Sequence, residues 1–136
     1  MSSRDSSIKT RRKADGDKPA LKGRRILVVE DSPVVGPFTA DLLDELGCEV
    51  VGPAPNMASA RELVEAGEFD AALMDIHIRG ERVFTLCDML EARGVPFVFT
   101  SGYADRNMPE KWESRPRVQK PYTVDQIEEA LVALFG

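Results

Sequence analysis

Short apolar runs recur along the chain, and each one ends in a reactive polar group. Ile26 to Val29 run into Glu30-Asp31, and the stretch from Phe69 to Met74 runs into Asp75. Val95 to Phe99 run into Thr100-Ser101, and a very short run around Val118 ends in Lys120-Pro121. Brief apolar segments with abrupt polar ends read as buried strands that deliver their last residues to a sheet edge. An unpaired carboxylate is costly to bury, so Asp75 belongs at the solvent end of its strand or beside partners there. The strands predicted are 24–30, 48–51, 69–75, 95–100 and 118–120, with Gly52-Pro53 closing the second.

Helical periodicity fills the gaps between them. Ser32-Pro33 supplies a cap and a proline for the first turn, after which Val35, Phe38, Leu42 and Leu46 recur at helical spacing until Gly47. Asn56 caps a second helix that places Met57, Ala60, Leu63 and Val64 on one face and ends at Gly67. A loop over 76–80 leads to a third helix with Val83, Leu86, Cys87 and Leu90 inward, ending at Gly94. Thr123 and Gln126 form a capping box before a last helix with Val124, Ile127, Leu131 and Leu134 on its apolar face. Residues 102–116 carry Gly102, Pro109 and Pro116 with only Met108 and Trp112 as anchors, which predicts at most a short helix.

Strands alternating with helices imply an α/β fold with a parallel sheet covered on both faces. Right-handed crossovers restrict the topology to few arrangements, and the one chosen is the flavodoxin-like, doubly wound five-stranded sheet of order 2-1-3-4-5, as a single domain. In that order ligands bind outside the carboxyl ends of the strands, at the switch point between the first and third. Glu30, Asp31 and Asp75 are the residues placed there.

Composition narrows the class. The 136 residues are 43% hydrophobic and 30% charged, as in an ordinary globular domain. No apolar run approaches the roughly 18 residues of a membrane span, and the N-terminus has no apolar core of a secretory signal. Cys48 and Cys87 have no metal-ligand spacing and read as free thiols of a reducing cytoplasm. Charge is uneven. Residues 1–22 carry seven Lys or Arg against three Asp, net +4, while the remainder is net −9. Residues 1–23 are thus expected to be a disordered basic tail and 24–136 the folded domain. No recognition helix or zinc knuckle accompanies the tail, so nucleic acid is not an expected partner.

Three carboxylates at one edge repel each other unless a cation intervenes. A hard divalent ion with oxygen ligands relieves this, and Mg²⁺ fits because it is content with one or two carboxylates plus water or phosphate oxygens. Asp75 then becomes a nucleophile for phosphoryl transfer, with Lys120 as a point charge for a phosphoryl oxygen and a hydroxyl of Ser101 or Thr100 as a hydrogen-bond donor.

This set, an acid pair after the first strand, an acid after the third, hydroxyls after the fourth and Lys-Pro after the fifth, resembles the response-regulator receiver (CheY-like) domain of bacterial two-component signalling over residues 24–135. The run from Pro96 to Tyr103 is similar to the PFxF-[AT]-[ST]-GY motif of an atypical subgroup of single-domain receivers. The resemblance implies that Asp75 accepts the phosphoryl group, and that Glu30, Asp31, Asp75 and the backbone carbonyl of His77 hold Mg²⁺, with Asp31 the more direct ligand of the acid pair. It implies that Lys120 binds phosphate ahead of a peptide bond that is often cis, and that Ser101 rather than Thr100 is the switch hydroxyl. Partners would be a histidine kinase or histidine phosphotransfer protein and an unspecified output protein, with no membrane involved. One position departs: the aromatic residue usual three places before the lysine is Arg117, which directs attention to Tyr103 and an order change in 102–116. Two other functions compete. A haloacid-dehalogenase-like phosphatase expects Asp where His77 stands and a cap insertion that is missing; a pseudo-receiver would not need the complete acid–lysine set. A flavodoxin-type cofactor protein would need a phosphate-cradling loop where Asp31-Ser32-Pro33 stands.

Overall fold

Strand β1 (Arg25–Val29) is sequestered because it has a neighbour on either side: β2 (Glu49–Ala54) and β3 (Ala71–Asp75). A computed structural model describes residues 21–102 and 108–135. The main sheet is completed by β6 (Phe97–Ser101) and β7 (Arg117–Gln119), all pairs parallel, in the order β2-β1-β3-β6-β7. Setting aside a small antiparallel hairpin, β4 (His77–Ile78) with β5 (Glu81–Arg82), this is the predicted 2-1-3-4-5 order.

Alternation along the strands sorts the core into two layers. Ile26, Val28, Leu73 and Val98 face helices α1 (Val35–Glu45) and α4 (Val124–Phe135); Leu27, Met74, Phe97 and Phe99 face α2 (Met57–Ala66) and α3 (Phe84–Ala92). Both faces of the sheet are covered, so the strands read as continuous apolar runs. The expected caps are present. Asn56 Oδ1 accepts from Ser59 N at 2.8 Å, and Thr123 and Gln126 bond reciprocally at 2.8 and 3.2 Å. Ser32 Oγ accepts from the amides of Val34 and Val35, at 3.2 and 3.0 Å, and regular helix begins at Val35.

Three features differ from the sequence expectation. First, β2 runs through Gly52-Pro53 instead of stopping there. Gly52 has φ +99°, and a Cβ on it would stand 2.8 Å from Val28 O and from Ala54 N, so only glycine fits beside the bulged β1–β2 register. Second, α1 is turned so that Gly36, Thr39, Leu42 and Leu43 face inward, because Pro53 packs against Gly36; Phe38 is left 47% exposed and Val34 75%. Third, packing begins before residue 24. Leu21 is fully buried, its carbonyl accepts from Arg24 N at 3.0 Å, and Gly23 N donates to Gly47 O at 2.8 Å. The rest of the basic tail, residues 1–20, lies outside the described residues.

Between β6 and β7 the described chain holds one 3-10 turn, Glu110–Trp112. Trp112 is buried against Phe97, and Arg115 stacks over Phe97 while pairing with Glu91 at 2.9 Å. Lys111 pairs with Asp88 at 3.0 Å. The segment is thus fastened to β6 by one aromatic anchor and to α3 by surface ion pairs, each of the latter worth little alone. Tyr103 lies outside the described residues.

Trimming the chain to start at Leu21 should leave the melting temperature nearly unchanged, whereas a start at Gly23 should cost about 2–5 kcal/mol, the range for losing a buried leucine. Denaturant melts of the two truncations check this; equal stabilities would contradict it.

Candidate functional site

Each acidic residue reaches the site because its strand ends there. Val29 is the last residue of β1, so Glu30 and Asp31 leave the sheet beside the end of β3; Glu30 N donates to Ala54 O at 3.0 Å, which ties that exit to β2. Asp75 closes β3 and sits in register with Thr100 on β6. Lys120 follows β7, and its amide donates to Ser101 O at 2.8 Å. Glu30, Asp31 and Asp75 each bring a carboxylate oxygen within 4.8 Å of the others.

The Lys120 ammonium joins two of these acids. Nζ lies 2.7 Å from Glu30 Oε1 and 2.8 Å from Asp75 Oδ2. Glu30 and Asp75 are buried, at 4% and 7% residual exposure. Glu30 Oε2 accepts from Ser32 N at 3.1 Å, and Asp75 Oδ1 accepts a longer bond, 3.4 Å, from His77 N. Glu30 Oε1 has the lysine within ion-pair distance but makes no well-directed hydrogen bond. Burial pushes the Glu30 carboxyl above its ordinary range, against the opposing pull of Lys120 and Ser32 N. For Lys120 burial acts downward, yet the close pairing with the Asp75 and Glu30 carboxylates outweighs it and the net shift is upward. Asp31 is half-buried, and its Oδ2 accepts from Arg79 N at 2.8 Å.

The donor set suits a hard cation. It is all oxygen, it gathers three carboxylates against one lysine, and it includes a buried oxygen lacking a directed hydrogen bond. Zinc-type ligation finds no support in the donor types: both cysteines are buried, with thiols pushed up by desolvation to about 11 and about 12.

Thr100 and Ser101 are both buried at the end of β6. By strand alternation Thr100 shares the face of Val98 and Asp75, and Ser101 the opposite face, with Phe97 and Phe99. His77 is exposed, with its amide beside Asp75.

Two features of the site escaped sequence reasoning. The loop expected over 76–80 is a hairpin turning on Arg79-Gly80. A glycine between Ile78 and Glu81 hinted at it, but arginine in the first turn position concealed the signal. Tyr122, just past the cis Lys120-Pro121 bond, is buried and hydrogen-bonds Thr39 of α1. Thr39 Oγ1 already donates to Val35 O at 2.8 Å, so the tyrosine is the donor. Beside Lys120, Tyr122 borders a hollow of about 300 Å³ that is also lined by Val35, Phe38 and Pro121.

This fold, with three acids and a lysine at the carboxyl edge of the sheet, defines a receiver, and the chain belongs to the response regulator receiver domain family, whose model matches residues 26–132. Members of this family typically bind Mg²⁺ and are phosphorylated on Asp, and the relatives are signalling regulators. The chain is similar to SdrG from Sphingomonas melonis Fr1, with 38% identity over 88% of this chain and 100% of that one, at a TM-score of 0.76. It is similar to a BeF3-activated conformation of SdrG from Pseudomonas melonis Fr1, with 37% identity, 82% and 96% coverage and a TM-score of 0.72. Transcriptional regulatory protein PdtaR of Mycobacterium tuberculosis is 26% identical over 85% of this chain, which spans 58% of the length of that relative.

The shifts of Glu30 and Lys120 set a pH dependence. Both folded values are raised, so both groups contribute stability that is complete below their unfolded values, 4.5 and 10.5, and is lost as pH rises through the folded ones. At neutral pH Lys120 therefore stabilises and charged Glu30 does not. Lys120→Ala should destabilise the metal-free protein by about 3 kcal/mol at pH 7, because buried carboxylates lose their counter-charge. The deficit should shrink in acid as Glu30 protonates and again above pH 10.5 as Lys120 is neutralised. Thermal melts across pH check this, and a deficit independent of pH would contradict it.

Proposed function

We propose that this chain takes a phosphoryl group onto Asp75 from a histidine kinase or histidine phosphotransfer protein, in the presence of Mg²⁺, and signals by phosphorylation-dependent partner binding or by passing the phosphate on. The observation that carries the reading is the lysine-bridged acid pair: Lys120 Nζ within 2.8 Å of both Glu30 and Asp75, with Asp31 completing the group.

In this reading Asp75 Oδ attacks phosphorus in line as the bond to the donor imidazole nitrogen breaks, and the nitrogen keeps the bonding pair. Glu30, Asp31, Asp75 and the His77 main-chain carbonyl would hold the Mg²⁺, whose chemistry is to neutralise phosphoryl oxygens against the surrounding carboxylates. Lys120 gives up its contact with Asp75 and turns its charge to a phosphoryl oxygen, keeping Glu30 as partner. The Ser101 hydroxyl, which strand alternation sets on the other face of β6 from Asp75, would have to swing over the strand end to donate to another oxygen, with Thr100 beside it on the Asp75 face. Addition of about 1.5 to 2 negative charges at this point draws Ser101 and Gly102 inward. That movement would pass to residues 102–116, whose described part is held by Trp112 and exposed ion pairs. A protein donor is favoured over a small metabolite by the apolar rim: Phe38, one of the large exposed hydrophobics of the described residues, lines the hollow beside Lys120 together with Val35, Pro121 and Tyr122. Among the described residues no helix is long and apolar enough to cross a membrane; a cytoplasmic location is part of the proposed reading.

Incubation with a small phosphodonor and Mg²⁺, read by intact mass, tests the reading. The wild-type chain should gain one phosphoryl group and Asp75→Asn none, with the variant's stability held or raised because acid–acid repulsion falls. Asp31→Ala should lose the Mg²⁺-dependent rise in melting temperature that wild type shows by linkage. An adduct persisting in Asp75→Asn would reassign the acceptor.

A further inference from the structure

Arg79 has φ +51°, the one positive φ among the described non-glycine residues. Gly80 follows at +80°, and the pair joins Ile78 to its partner Glu81. Two consecutive positive φ values in a two-residue hairpin are the requirement of a type I′ turn, which favours Asn, Asp or Gly at the first position. Arginine is strained there, so other contacts must hold it. Two do. Its main-chain N–H donates to Asp31 Oδ2 at 2.8 Å, and its side-chain Nε donates to Pro55 O at 3.2 Å. The base of the hairpin is fixed by fully buried Ile78 and by Val83 N donating to Ile76 O at 2.9 Å.

We propose that Arg79 is the positioning residue of the cation site: its main-chain N–H orients the Asp31 carboxylate, and its guanidinium pins the turn to the β2–α2 connection. The inference rests on the Mg²⁺ site proposed above and adds a residue outside its ligand set. Three segments meet at this residue: the exit of β1 through its main-chain bond to Asp31, the β4–β5 turn in which it sits, and Pro55 after β2 through its side chain. Without the left-handed turn the N–H would not face Asp31, and an unheld ligand carboxylate binds metal less well.

Substitutions separate the two contacts. Arg79→Asn accepts the turn and drops the guanidinium; Arg79→Val, β-branched, opposes the turn itself. The test is a Mg²⁺ titration of the folded proteins, following the amide resonances of residues 30–32 and 75–78. Arg79→Val should raise the half-saturating Mg²⁺ concentration about tenfold, the low end for losing an outer partner of a metal ligand. Arg79→Asn should stay within about threefold of wild type, so that the conservative turn former rescues what valine loses. A purely structural role would lower the melting temperature of Arg79→Val and leave the midpoint in place, which would overturn the inference; so would Arg79→Asn as impaired as Arg79→Val. Absence of Mg²⁺ binding in wild type would overturn the proposed function and this inference together, whereas wild-type binding with an unmoved valine midpoint overturns this inference alone. A second measurement needs no metal and no altered turn. In Asp31→Ala the Arg79 amide should exchange about tenfold faster than in wild type, as for a lost bond to a charged acceptor; unchanged exchange would also overturn the proposal.

Discussion

One ammonium holds the centre of this molecule together. Lys120 lies between two buried carboxylates at 2.7 and 2.8 Å and supplies the counter-charge that offsets their burial. The arrangement is a compromise. Burial raises the Glu30 carboxyl despite the lysine, so part of the cost of its charge remains. A group of three acids against one base still carries excess negative charge, which suits it to a second cation.

The scaffold exists to bring these four side chains to one place from distant parts of the chain. Parallel strands all end at the same edge, so a residue placed just after each strand arrives there without special loops. Fine placement comes from smaller constraints. Gly52 lets β2 approach Val28 closely, Ala54 O then anchors Glu30 N, and Ser32 N returns a hydrogen bond to the Glu30 carboxylate. On the other side, Ser101 O fixes Lys120 N, so the lysine and the β6 hydroxyls share one backbone link.

Much of this was legible in the sequence because it depends on short-range pattern. Strand order and four of the site residues follow from where apolar runs stop, and the caps at Asn56 and Thr123 follow from side-chain chemistry within one turn. What escaped is what depends on fit between distant segments. Phe38 has the spacing of an inward residue, but Gly36 and Pro53 allow α1 to approach β2 on another face, leaving Phe38 half-exposed. Leu21 looked like part of a polar tail because one apolar residue among lysines gives no periodic signal, yet a pocket beside Cys48 buries it. Arg79 was hidden for the opposite reason: its local preference opposes the turn that tertiary contacts impose.

The most direct measurement of the central claim is the ammonium resonance of Lys120, observed by ¹⁵N–¹H NMR before and after addition of beryllofluoride with Mg²⁺. The account predicts a slowly exchanging signal distinct from those of exposed lysines, which shifts on addition in wild type and stays in place in Asp75→Asn. A Lys120 signal that exchanges as fast as those of exposed lysines, or one that is unmoved by beryllofluoride in wild type, would contradict it.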